Sequence, residues 1–176
     1  MKHQDIYRLV LLAFLSAASL LLAKLFRFPI FVAAPFLKMD FGEVPLLIAA
    51  YLFPSMGLFA LVLKELMSFF FFGTNALALV ADFLACGTFL GVFSLLVAHR
   101  RDKKSMLMAI LLGTGIRALA AIPINLVILQ LQYGSSIETI WMQMPYIIPF
   151  NMLKCVLDGT VFFALYKRLS AVCKFA

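Results

Sequence analysis

Leu37-Lys38-Met39-Asp40-Phe41-Gly42-Glu43-Val44-Pro45 sets two carboxylates and a lysine between apolar runs too long for a soluble core. Of the 176 residues, 65% are hydrophobic and only 13% are charged, more apolar surface than a soluble chain of this length can cover. The chain is therefore integral to a membrane. Nearly every segment is apolar, so residues 1–176 read as one domain with little left over for a soluble one. A polar cluster in that setting must sit at the membrane boundary or face a protected space, and it marks the mouth of a small-molecule site.

Outward from this stretch, the chain divides into six spans, given that a membrane helix needs about 20 apolar residues and fewer where it ends inside protein. The first runs from Ile6 to Phe26 and carries Ala13 and Ala17 four apart with Ser16 beside them, a stripe of small side chains open to a close helix partner. That partner is either another helix of this bundle or another membrane protein. Residues 27–40 cannot form one regular helix, because Pro29 and Pro35 interrupt them. They read as an apolar lid over the bundle or a simple interfacial connection. The second span, Phe41 to Phe53, is short. The third, Met56 to Phe72, carries Lys64-Glu65, which as adjacent residues point in different directions and seek partners on another helix. The fourth, Ala76 to Ala98, contains Asp82 and the Gly87/Gly91 pair, a face suited to close packing. The fifth, Ser105 to Leu131, contains Arg117, Pro123 and Asn125. Pro123 disturbs the preceding turn and frees backbone polarity to line a cavity. Residues 132–144 read as a polar loop with Trp141 at the interface, and the sixth span runs from Pro145 to Leu169. The expected fold is an all-α membrane protein, a bundle of six transmembrane helices with a lid loop between the first two.

The charges orient it. Lys2, Arg8, Arg100, Arg101, Lys103, Lys104, Lys167, Arg168 and Lys174 fall at the termini or in one connection, all on one side of a six-span bundle. Lysine and arginine mark cytoplasmic segments, so both termini are placed in the cytoplasm. The net charge of +7 thus reports topology, and no basic stretch interleaved with stacking aromatics points to nucleic acid. Cys86, Cys155 and Cys173 show no paired spacing, so neither a disulfide framework nor a metal site is expected. There is no G-x-x-x-x-G-K-[ST] loop, H-E-x-x-H or G-x-S-x-G motif, so the chain is expected neither to be an enzyme nor to hydrolyse ATP by itself.

The intramembrane polar residues carry the functional reading, since each charge there costs about 2.5–3.5 kcal/mol on insertion scales and usually faces a cavity or a partner. Asn151, Lys154 and Asp158 share one face of the sixth helix by their i, i+3, i+7 spacing. Asn125, Asn151, Lys154 and Asp82 lie at similar depths in the outer half, with Glu43 nearer the rim. An outward-opening pocket follows, with amides suited to an imide-like ring edge and ions suited to hydroxyls. The competing reading is a purely structural network in which Lys154 pairs with Asp158 or Asp82.

The stretch 37–45, the turn Pro54 to Gly57, and Pro149-Phe150-Asn151-Met152-Leu153-Lys154 joined to Asn125 after Pro123 resemble the riboflavin-specific substrate-binding (S) components of energy-coupling factor transporters. The resemblance extends over essentially the whole chain in length, span count and charge layout. At 42–43 this chain has Gly-Glu where that family leads one to expect Ser-Asp or similar. The resemblance implies that Glu43, Asn125, Asn151 and Lys154, with Asp40 beside them, bind riboflavin as a transported ligand, no cofactor being implied. It implies that Ala13 and Ala17 dock on a transmembrane coupling protein served by two ATPases. It also implies a lipid-surrounded place in a bacterial cell membrane. Alternatives are an S component for pantothenate, pyridoxine or thiamine, or a self-sufficient small channel.

Overall fold

A computed structural model describes residues 3–32 and 34–172; Lys2, Cys173 and Lys174 of the charge and cysteine readings lie outside the described residues. Among the described residues six α-helices follow in order: α1 (His3–Leu25), α2 (Glu43–Leu52), α3 (Gly57–Phe72), α4 (Ala76–His99), α5 (Lys103–Tyr133) and α6 (Ile137–Val172). Five stretches are long and apolar enough to cross a membrane, lying in α1, in α3 with the Pro54–Met56 turn before it, and in α4, α5 and α6. The second expected span is present as α2, whose 10 residues rise only about 15 Å. It descends from the lid and stops at Pro54, where a 3-10 turn reverses the chain into α3.

The ends of the bundle are identified by contacts between its connections. Lys24 at the end of α1 donates to Thr74 Oγ1 in the α3–α4 turn at 3.0 Å, and Ser19 Oγ donates to the Gly42 carbonyl at 2.5 Å. At the opposite end, the Arg8 guanidinium lies over the Phe53 ring and that of Arg101 over Tyr51. One end is thus closed by the lid and the other carries the basic connection and the start of α1. Gly73 (φ +57°) and Gly134 (φ +63°) end α3 and α5 in the left-handed conformation that a side chain would strain, which lets the chain turn back in two or three residues.

Residues 26–32 and 34–42 form a lid. Its two arms pair as short strands, β1 (Phe28–Pro29) and β2 (Lys38–Met39), antiparallel with Phe28 opposite Met39. Ala34, Leu37 and Met39 are buried against Ile140, Met144, Ile147 and Phe150 of α6 and Leu129 of α5. Burying those side chains holds the lid down at about 25 cal/mol per Å² of apolar area, so it is more than an interfacial connection. Gly42 explains the departure noted at 42–43: a Cβ there would come within 2.8 Å of Ala23 Cβ and 3.0 Å of the Ser19 carbonyl. Only glycine lets the lid approach α1 this closely.

Several expectations are corrected. Residues 132–144 are mostly helical: only 134–136 interrupt α5 and α6, and Trp141 lies exposed on α6. Ser136 Oγ accepts from the Thr139 amide at 3.2 Å and starts α6, so Pro145 and Pro149 sit inside that helix and do not begin it. Each proline removes one backbone bond, which the surrounding helix tolerates. Pro123 likewise leaves α5 unbroken and faces outward, so side chains and not freed carbonyls line the cavity. The Gly87/Gly91 pair does not pack closely: a Cβ at Gly87 would meet only Leu61, at 3.7 Å, and one at Gly91 would meet nothing within 4 Å. Close approaches occur instead at Gly113 against Phe89 and Gly159 against Ile110. In α1, Ser16 turns inward and donates to the carbonyls of Leu12 and Ala60 at 2.8 and 2.9 Å, while Ala13 is exposed and Ala17 half-buried.

Candidate functional site

Beneath the lid lies a cavity of about 260 Å³, somewhat below the about 300–1,000 Å³ usual for small-molecule sites. Its wall draws on α1, the lid, α3, α4, α5 and α6, so no single helix defines it. Asn125, Asn151, Lys154 and Asp40 all line it, together with Arg117, Lys64, Glu65 and Asp82. Phe36 and Leu37 of the lid and Phe150 of α6 add apolar surface over which a flat ring can lie.

The polar side chains on the α5–α6 side are held by one network. Arg117 Nη1 donates to both oxygens of Glu43, at 2.7 and 2.5 Å, and its Nε donates to Asn151 Oδ1 at 3.0 Å. Asn151 Nδ2 in turn donates to the Ile147 carbonyl at 2.9 Å, so both ends of this amide are fixed and its face toward the cavity is set. Asn125 Nδ2 is anchored to the Ala121 carbonyl at 2.8 Å. Lys154 Nζ donates to the Asp40 carbonyl and Oδ1 at 3.0 and 2.8 Å, and lies 3.6 Å from carboxylate oxygens of both Glu43 and Asp158. Asp40 Oδ1 also accepts from the Gly42 amide at 2.9 Å, so this one carboxylate ties the lid to α6 and shapes the start of α2.

The network balances two cations against three carboxylates in a place where a lone charge is costly. Glu43, Arg117 and Lys154 are each at most 4% exposed and Asp158 is fully buried. Among the described residues neither oxygen of Asp158 has a hydrogen-bond partner, and the nearest cation is the Lys154 ammonium, 3.6 Å away. The competing structural reading is thus partly realised, since Lys154 does meet Asp158. The same lysine and both amides nevertheless line open space.

The residues named from sequence separate into two groups. Asp40, Asn125, Asn151 and Lys154 converge on the cavity. Glu43 does not line it and is not at the rim; it lies against Arg117, which does. Arg117, absent from the site residues expected from sequence, stands in no motif: a lone arginine in an apolar helix reads like any other buried charge. The signal was available in principle, since an arginine that cannot lose its proton must find a carboxylate inside the bilayer. On the α3–α4 side, Lys64 donates to Asp82 Oδ2 on the neighbouring helix, as expected of a charge seeking a partner elsewhere. It also bonds the adjacent Glu65 at 2.6 Å, contrary to the expectation for neighbours in sequence: the long lysine side chain bends back far enough to reach.

Comparison with known proteins gives a consistent picture. A family model described as "ECF transporter, substrate-specific component" matches residues 7–166. The riboflavin transporter RibU of Staphylococcus aureus (strain TCH60) is 29% identical over 173 residues, covering 93% of this chain and 90% of that protein. The riboflavin transporter FmnP of Bacillus subtilis (strain 168) is 26% identical, covering 92% and 91% respectively. A solved structure described as "Structure and mechanism of the S component of a bacterial ECF transporter" superposes with a TM-score of 0.83 at 30% identity, covering 97% of this chain and 99% of that one.

Proposed function

We propose, because the chain belongs to the family of ECF transporter substrate-specific components, that it binds riboflavin at the lid end and hands it to an ATP-driven partner module. The observation that carries this reading is the convergence of Asn125, Asn151 and Lys154, from two helices, on one cavity beneath a lid that contributes Asp40. Amides present paired donors and acceptors, which match the imide edge of a flavin ring. Arg117 and Glu43 act behind them, fixing the Asn151 amide in place.

The lid end then faces outward and the end bearing Arg100, Arg101, Lys103 and Lys104 faces the cytoplasm, in keeping with the retention of basic segments there. The outward exposure of Ala13, between exposed Val10 and Phe14, leaves the α1 face available to a transmembrane coupling subunit. A self-sufficient channel fits poorly, because below the cavity the helices close on Leu61, Phe89, Phe93 and Phe162, all buried.

Detergent-purified protein is expected to carry or take up riboflavin, read as flavin absorption and quenched flavin fluorescence. Riboflavin should outcompete pantothenate, pyridoxine and thiamine. Protein that binds one of those vitamins and not riboflavin would overturn the assignment while leaving the scaffold intact.

A further inference from the structure

Asp158 of α6 is a buried ionisable group that the binding reading leaves without a task. It does not line the cavity, it is fully enclosed, and among the described residues neither of its oxygens has a hydrogen-bond partner. A carboxylate kept this way is costly, so its place calls for a reason. The reason lies one helical turn above it. Side chains lean toward the N-terminus of their helix, which in α6 is the lid end, so Asp158 reaches up to Lys154 and Lys154 reaches up to the lid. Three carboxylates, of Asp40, Glu43 and Asp158, lie 2.8, 3.6 and 3.6 Å from that ammonium, and they are not equivalent. Asp40 belongs to the lid. Glu43 accepts from Arg117 at both oxygens and is committed to it. Across the cavity, Glu65 and Asp82 have Lys24 and Lys64 beside them, so that side does not need Lys154. Asp158 is the acceptor left open.

The lid covers the cavity, so a ligand cannot pass without breaking the contact between Lys154 and Asp40. Resting on the riboflavin reading above, we infer that Asp158 is a positioning residue for that passage: it receives the Lys154 ammonium when Asp40 lifts away, and so sets the rate at which the lid opens. An ammonium stranded without a free acceptor would hold the lid down, because a lone charge inside a membrane bundle is costly. A shift of about 0.8 Å takes Nζ from its 3.6 Å distance to the roughly 2.8 Å of a charge-assisted hydrogen bond with Asp158. Rotation within the flexible four-carbon lysine stem supplies that shift with no movement of the helix. Lys154 is then a latch with two rests, one on the lid and one on its own helix.

The test is the rate of riboflavin binding and release, followed by stopped-flow flavin fluorescence in detergent, for wild type, Asp158→Asn and Asp158→Glu. Asparagine keeps the size and loses the charge, so the ammonium finds a weaker second rest, and both rates should fall about fivefold or more. Their ratio, Kd, should move by less than about twofold, because entry and exit share the same opening. Glutamate restores the charge and should return both rates toward wild type. Where Asp40→Asn has already loosened the latch, adding Asp158→Asn should change the rates by less than about twofold. Unchanged rates in Asp158→Asn, a loss of affinity carried by faster release alone, or the same slowing with and without Asp40→Asn would each overturn the inference, the second result marking a merely structural role. Asp158→Ser, smaller and equally neutral, carries the same expectation should the asparagine variant not fold. Failure of the wild type to bind riboflavin would instead strike the functional reading itself, so the two failures are told apart.

Discussion

At the terminal end of the bundle, Phe162 meets Tyr51 and Phe93 with ring centroids 5.8 and 5.2 Å apart, and these rings fill the space between helices. At the lid end, Asn125, Asn151, Arg117 and Lys154 border about 260 Å³ of space with Lys64, Glu65 and Asp82. Helices α4, α5 and α6 contribute to both regions, so helix number and length do not explain the difference. Side-chain chemistry does. Edge-to-face rings and glycines at Gly113 and Gly159 let the lower half interlock. In the upper half, charged groups fixed by one another cannot collapse into the space they border. What results is a pocket closed below and lidded above, which suits a protein that holds a ligand and leaves its passage to a partner.

The contrast is broken most severely by removing the arginine that braces the polar half. Arg117→Ala leaves Glu43 buried without its main partner and frees Asn151, and breaking a buried pair this way costs about 3–5 kcal/mol. Thermal unfolding in detergent should show a large drop or little folded protein, with riboflavin binding lost. A melting temperature near wild type would mean that the network does not brace the site.

A next and smaller effect belongs to the packed half. In Gly113→Leu the Cβ alone would fall 2.7 Å from Phe89 Cδ2, and overpacking of this kind costs about 1–3 kcal/mol or more. The unfolding temperature should fall while riboflavin affinity of the folded fraction stays close to wild type. Reduced affinity at unchanged stability would mean that the halves are not separable.

Lys154→Ala tests the cavity from the other direction. It removes the donor that ties Asp40 of the lid to α6, and riboflavin affinity should fall at least about tenfold, equivalent to about 1.4 kcal/mol. Equilibrium titration checks it. Smallest of all, Gly91→Ala should cost nothing and can gain up to about 1 kcal/mol of helix propensity, because open space surrounds that position. A clear loss of stability there would reveal a contact that the geometry does not contain.

Much of the architecture was legible because bilayer physics writes it plainly: five helices have the length and hydropathy of spans, and Pro54 marks the sharp return after α2. The start of α6 was not. Pro145 and Pro149 signal a boundary in water, but inside a membrane bundle tertiary packing carries the helix through them. At the site, Asn151 and Lys154 were legible from helical spacing, which places them on one face whatever the rest does. The role of Arg117 was not, since it depends on Glu43 lying 74 residues away in sequence, a pairing that only the folded chain creates. The turn of Ser16 away from Ala13 and Ala17 was hidden for a related reason: small residues mark a close approach without saying to which neighbour.

The central claim is that riboflavin occupies the space beneath the lid. Ala81 lines that space on α4, and Ala81→Trp puts a bulky ring into it while leaving every charged side chain of its wall in the sequence. Titrating riboflavin against wild type and this variant should give one bound flavin per chain in the first and none in the second, with unfolding temperatures alike. A variant that binds riboflavin as the wild type does would contradict the account.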